Sequence, residues 1–231
     1  MRSGVIGAMY WKHPEYAFKI GAMSSVPTHN NLEAILGSGL VSFLTAQSIS
    51  GISWPTAVGD GLQQCYDFEF TIPNELIPDL PRHTDPEIAC PQYGILGTDL
   101  ERPNPWYALG HIGAAFAYAS DKDKLQIPAF RKWNGDDNAV IPAVASAVFF
   151  NTRFSDFLRI VIAAVNYSGD CDTVGAIAGC FAGARFGDDA IKAEWRARIE
   201  QREYLMDLAM RISIASQSIE IKDEESYEIQ L

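Results

Sequence analysis

The sequence predicts an all-α protein. Three observations point that way: apolar residues recur at three- and four-residue intervals through most of the chain, prolines open several of these segments, and no stretch alternates apolar and polar residues with the period of two of a half-buried strand. The 231 residues are enough to bury a sizeable core in one domain. The pattern predicts a single helical domain over residues 1–214 and an acidic C-terminal tail over 215–231, whose final residues, "IEIKDEESYEIQL", fray.

Taken in order, Pro14 opens a helix that runs through Met23, its fixed φ suiting the first helical turn. "NNLEAILGSGLVSFLTAQSIS" places Leu32, Ile35, Leu36, Leu40, Phe43 and Leu44 on one side of a second helix, and Pro55 opens a third that runs through Tyr66. From about residue 70 to 105 the prolines at 73, 78, 81, 86, 91, 103 and 105 interrupt every pattern that begins, which predicts a long irregular excursion with one short helix. Beyond it, "YALGHIGAAFAYASDKDK", "AVIPAVASAVFFNT", "SDFLRIVIAAVN", "DTVGAIAGCFAGARFG" and "DDAIKAEWRARIEQREYLMDLAMRISIAS" read as five helices. Ser155 with Asp156 marks the start of the third of these, and Pro142 falls in the first turn of the second, where a missing N–H costs little.

Composition narrows the function classes. A formal net charge of −11 disfavours nucleic acid and anionic membrane as partners. No uninterrupted apolar run reaches the ~18 residues of a membrane span. Arg196, Arg198, Arg202 and Arg211 interleave with Glu194, Glu200, Glu203 and Asp207, the pattern of a solvated helix face laced with ion pairs. Cys65, Cys90, Cys171 and Cys180 form no C-x-x-C pair, so neither a zinc site nor a redox motif is indicated. The opening "MRSGVIGAMYWKHPEY" lacks the apolar core of a secretory signal, and a reduced, cytoplasmic setting is the expectation.

Chemistry concentrates in "NYSGDCDTVGAIAGCFAGARFG", residues 166–187. Gly175, Gly179 and Gly183 stand four apart on one helical face; each costs up to ~1 kcal/mol relative to alanine, which predicts another backbone passing close to that face. Just before the stripe, Asp170, Asp172 and Thr173 occupy a helix entry, where free N–H groups and the positive dipole end favour negative charge. A cap explains one carboxylate. Two acids and a hydroxyl in one turn also supply the hard oxygen ligands that Mg²⁺ or Ca²⁺ prefers. A calcium loop of the EF-hand type fails, because its fifth position is Val174 and its twelfth Phe181. The phosphatase motif D-x-D-x-[TV] matches locally, but that nucleophile belongs near the start of a parallel-sheet domain, whereas the chain after Thr173 reads as helix.

The same stretch resembles the C-terminal signature of the ADP-ribosylglycohydrolase family, which includes the dinitrogenase reductase activating and ADP-ribosylarginine hydrolase types: N-x-G-G-D-[ST]-D-T followed by a small-residue helix. Ser168 stands in place of the first glycine and Cys171 in place of the small hydroxyl residue. "FSDFLRIVIAAVN" looks like the helix leading into the signature, and residues 1–47 look like the family's middle region, where an arginine and a helix precede a Thr/Ser-His stretch. The resemblance implies a compact orthogonal all-α domain that holds Mg²⁺, usually two ions, and cleaves the glycosidic bond joining ADP-ribose to a protein side chain. It implies Asp170, Asp172 and Thr173 as metal ligands, with His29 of "PTHNN", Gly135 and Asp136 as candidate substrate contacts and an ADP-ribosylated protein or ADP-ribose as partner.

This chain departs from the family in one large respect. The second metal motif, a [ST]-D-D-T near the family's N-terminus, has no counterpart, so the chain looks like the family's domain without its first part. Asp136 and Asp137 of "NGDDNAV" lie where the family has a turn beside the substrate cleft, so the missing motif is not transferred onto them. Three functions stay open: an active Mg²⁺-dependent hydrolase, a catalytically deficient relative that binds ADP-ribose or a protein without turnover, and a helical interaction module.

Overall fold

The computed structural model describes residues 1–29, 31–69, 105–121, 127–134, 139–167 and 169–221. Among them every regular element is helical. In chain order these are α1 (Ser3–Met9), α2 (Pro14–Ser25), α3 (Leu32–Ile49), α4 (Trp54–Glu69), α5 (Pro105–Ser120), α6 (Ile127–Asn134), α7 (Val140–Arg153), α8 (Phe157–Val165), α9 (Cys171–Phe186), α10 (Ala193–Ala197) and α11 (Arg202–Gln217), with a 3₁₀ turn at Asp188–Ala190 before α10. The Pro-rich segment lies outside the described residues except for Pro105, which opens α5 instead of interrupting it.

The helix α3 is the centre of the fold. Asn31 caps it, its Oδ1 accepting the Ala34 amide at 2.9 Å, and α1, α2, α4, α5, α7 and α9 all pack around it. Leu36, Leu40 and Leu44, one turn apart, are fully buried, as are Phe18 of α2, Val58 of α4 and Phe181 of α9. By length and mean hydropathy α3 could cross a bilayer, but most of it is buried by its neighbours, which is the behaviour of a core helix. A second focus lies around α7, where Phe149 stacks on Phe130 of α6 at 3.8 Å between ring centres and Phe150 meets Tyr167 edge-on at 5.3 Å. Asp156 caps α8, accepting the Arg159 amide at 2.9 Å, and Pro142 sits in the first turn of α7, both as the sequence predicts.

The structure adds two short helices to the expected set, α6 and α1; α1 buries Ser3, Gly4 and Gly7, small residues, and packs so closely that a side chain at Gly7 would collide with the Ser42 carbonyl of α3. The long C-terminal helix is broken. Ile191 and Trp195 fold against the core, Arg196 pairs with Asp188 across the break, and Gln201 at φ 52° turns the chain before α11 starts. Asp207 and Arg211 alone of the interleaved charges pair along the helix, at 3.9 Å, among the ion pairs of the described residues.

The glycine stripe of α9 faces side chains of α8, not a backbone. An added Cβ at Gly175 would stand 2.7 Å from Val165 Cγ1, one at Gly179 would make an ordinary 3.7 Å contact with Val161, and one at Gly183 would meet nothing within 4 Å. The stripe therefore accommodates the valines of a neighbouring helix at its N-terminal end only.

Candidate functional site at the mouth of α9

The turn between α8 and α9 is held from below. Tyr167 is buried between Phe150 and Phe130, and this anchor fixes the height at which residues 169 and 170 leave the core. Farther along, α9 is tied to α7. The buried Asn151 amide donates to the carbonyls of Ala147 and Ala178 at 3.0 and 3.1 Å, and Arg185 donates to the carbonyl and the side-chain oxygen of Asn151. The Arg185 guanidinium also lies over the rings of Trp54 and Phe186, and burial lowers its pKa to about 10. Both ends of α9 are thus set relative to the rest of the domain.

At its mouth, Asp170 occupies the N-cap position with φ −74° and ψ 74°, yet its carboxylate makes no cap hydrogen bond. Capping falls instead to Asp172, whose Oδ1 accepts the Thr173 amide at 3.0 Å. A hydrogen-bond contact with Asp170 and that amide together hold Asp172 below the ordinary carboxylate range. The result is a carboxylate at a positive helix end that the helix itself does not consume.

Asp170 and Thr173 line a cleft of about 420 Å³ whose far wall comes from the start of α1 and the end of α2. His29 lines it too, so the structure brings together residues that the sequence separates widely. His29 and Thr28 are exposed and held in a turn by amide bonds from both to the Ser25 carbonyl. Gly37 of α3 forms part of the cleft, and a side chain there would press on Val140 at 2.5 Å; its absence lets the start of α7 close the floor. Asp172 is exposed and does not line the cleft. Gly135, Asp136 and Asp137 lie outside the described residues.

Arg2 is a site residue that sequence reasoning passed over, since the sequence presents it only as part of the resemblance. It lines the same cleft and donates to the Ser24 carbonyl at 2.7 Å and to Thr28 Oγ1 at 3.2 Å, placing a cation beside the His29 turn in the cleft that Asp170 also lines. Among the described residues no three His, Cys, Asp or Glu side chains converge as a metal cluster. The cleft wall carries Asp170 and Thr173, with Asp172 beside Asp170 but outside the lining; carboxylate and hydroxyl oxygens are the hard donors that Mg²⁺ takes, and this set is short of a complete coordination shell.

A family model described as ADP-ribosylglycohydrolase matches residues 1–221. The chain belongs to the ADP-ribosylglycohydrolase family. Among curated relatives, it is 34% identical over 74 residues to ADP-ribosyl-[dinitrogen reductase] glycohydrolase of Rhodospirillum rubrum, covering 32% of this chain and 25% of the relative. It is 28% identical over 103 residues to ADP-ribosylhydrolase ARH3 of Danio rerio, covering 40% of this chain and 28% of that one. The chain therefore spans well under two thirds of these ADP-ribosylglycohydrolase relatives. A solved chain titled ADP-ribosylglycohydrolase-related protein complex superposes with a TM-score of 0.57 at 19% identity, over 91% of this chain and 57% of that one, which supports the same all-α fold.

Proposed function

We propose that the cleft at the mouth of α9 binds the ADP-ribose part of an ADP-ribosylated protein and, with Mg²⁺, hydrolyses the glycosidic bond to the protein side chain. The observation that carries this reading is Asp170: an acid in a cap position that makes no cap bond and lines a cleft shared with Thr173, His29 and Arg2. Family membership and the activities named for the two relatives support it.

Asp170 and Thr173 would hold the ion from the cleft wall, and Asp172, which lies outside the lining, would join them only by turning inward. Bound Mg²⁺ supplies charge stabilisation and a fixed point for ribose hydroxyls and water during cleavage at the anomeric carbon, where oxocarbenium-like charge develops. The chain's own residues do the rest. Thr173 and Asp170 orient oxygen donors into the cleft, Arg2 offers a cation to an anionic group of the substrate, His29 offers a ring on the facing turn, and the clamp through Asn151 and Arg185 keeps α9 from sliding. In the hydrolysis, water contributes hydroxyl to the ribose and a proton to the released side chain.

The absence of a three-residue metal cluster among the described residues favours a second reading, binding without turnover. Release of free ADP-ribose from an ADP-ribosylated protein, followed by mass spectrometry with Mg²⁺ and with EDTA, separates the two. Mg²⁺-dependent release that Asp170→Ala abolishes supports hydrolysis; ADP-ribose binding with no release supports the second reading, and neither binding nor release rejects both.

A further inference from the structure

Among the described residues, the last helix presents an outward face that no other element covers. α11 meets the body through its C-terminal end, where Trp11 Nε1 donates to Ser216 Oγ at 3.2 Å and Lys12 donates to the Gln217 carbonyl at 2.9 Å; Ser216 is its buried residue. Residues 201 to 211 are exposed without a break. Asp207 precedes Ser216 by about two and a half helical turns and so points directly away from the body. Around Asp207 and its partner Arg211, a surface helix would ordinarily be polar. Here Tyr204 and Leu208 flank the pair on one side and Met210 and Ile214 on the other, at 59%, 36%, 62% and 65% exposure.

We infer that this face of α11 pairs with the same face of a second copy of the chain, the two helices running antiparallel about a two-fold axis level with Ala209. The charge pattern selects that occupant and that register. Such an axis sets Asp207 of each helix beside Arg211 of the other, replacing two 3.9 Å pairs within the helices by two between them. It brings Leu208 against Leu208 on one flank and Met210 against Met210 on the other. Arg202 and Arg211 balance Glu203 and Asp207, so α11 as a whole carries no net charge in a chain whose total of −11 opposes the approach of two copies elsewhere. Methionine suits a contact made between identical ridges because its side chain adapts to irregular gaps.

Analytical ultracentrifugation of the full chain over a wide concentration range tests this. The expected result is a mass that rises from one chain to two with concentration. Met210→Glu combined with Ile214→Glu leaves a single chain at every concentration, with an unchanged far-ultraviolet circular dichroism spectrum. Asp207→Arg and Arg211→Asp each weaken the dimer at least tenfold, and the double reversal restores it. A single-chain mass throughout, a dimer indifferent to the glutamates, or charge reversals that do not rescue one another would overturn the inference, the first outcome pointing to a different polypeptide on this face.

Discussion

The carboxyl groups of Asp170 and Asp172 lie within hydrogen-bonding reach of each other at the mouth of α9, and this contact is the main reason Asp172 titrates below the usual carboxylate range. The two acids are not equivalent. Asp172 serves the helix by accepting the Thr173 amide, whereas the Asp170 carboxylate makes no cap bond and Asp170 lines the cleft with Thr173. Thr173→Val, which keeps the side-chain shape and removes the hydroxyl, is predicted to weaken Mg²⁺ by about tenfold, consistent with loss of one hydrogen-bonding or ligating oxygen. The Mg²⁺ dependence of the melting temperature, which follows ln(1 + [L]/Kd), measures this directly. An unaltered Mg²⁺ response in the valine variant removes Thr173 from the ligand set.

The Asn151 clamp makes a stability prediction independent of function. Asn151→Ala removes the side-chain bonds to the Ala147 and Ala178 carbonyls and the Oδ1 contact with Arg185, while the Arg185 bond to the residue 151 carbonyl remains, and is predicted to cost about 1–3 kcal/mol. Arg185→Lys keeps a cation but loses the planar contact with Trp54 and Phe186, for about 1–2 kcal/mol. Urea unfolding with an unchanged m-value checks both. Losses under about half a kcal/mol would show that the clamp is decorative.

Close approach of α3 and α7 under the cleft makes Gly37 sensitive to size. Gly37→Ala drives a methyl into Val140 and is predicted to destabilise by about 1–3 kcal/mol, while adding Val140→Ala recovers much of the loss. A double-mutant cycle read by thermal melting decides it; additive effects would mean that the two helices part to make room.

The pH dependence of stability carries a signature of His111. This buried imidazole donates through Nε2 to Asn134 Oδ1 at 2.7 Å, while the Asn134 amide donates to Ser146 and to the Pro142 carbonyl, which links α5, α6 and α7. Burial lowers its pKa below the ordinary 6.5, only partly offset by the Asn134 bond. The unfolded chain therefore takes up this proton first as pH falls. The neutral imidazole's contribution is present above that ordinary value and is lost on acidification through and below it. Unfolding midpoints at about pH 7.5 and about pH 5.5 should diverge in the wild type and converge in part in His111→Gln; equal divergence in both proteins would assign the effect to other groups.

Much of this fold is legible because helices bury large side chains at regular spacing. Leu36, Leu40 and Leu44 announce α3, Asp156 announces the start of α8, and the D-C-D-T run announces the start of α9, where the candidate site lies. What escapes is what periodicity does not encode. The tight seat of α1 rests on Ser3, Gly4 and Gly7, whose small size gives no apolar signal, and the break before α11 depends on Ile191 and Trp195 finding the core. The cleft was half legible: Asp170, Thr173 and His29 were readable as residues, but their meeting, the place of Arg2 and the turning outward of Asp172 are consequences of tertiary packing. The glycine stripe misled because three equal spacings serve unequal contacts, one tight, one ordinary and one open.

Isothermal titration of ADP-ribose into the chain with and without Mg²⁺, repeated on Asp170→Ala, tests the central claim most directly. The cleft at the mouth of α9 predicts binding that Mg²⁺ strengthens at least tenfold, with the Mg²⁺-dependent part absent from the alanine variant while its melting temperature without ligand stays within a few degrees of wild type. Equal affinity in the two proteins, or heat of binding indifferent to Mg²⁺, would contradict it.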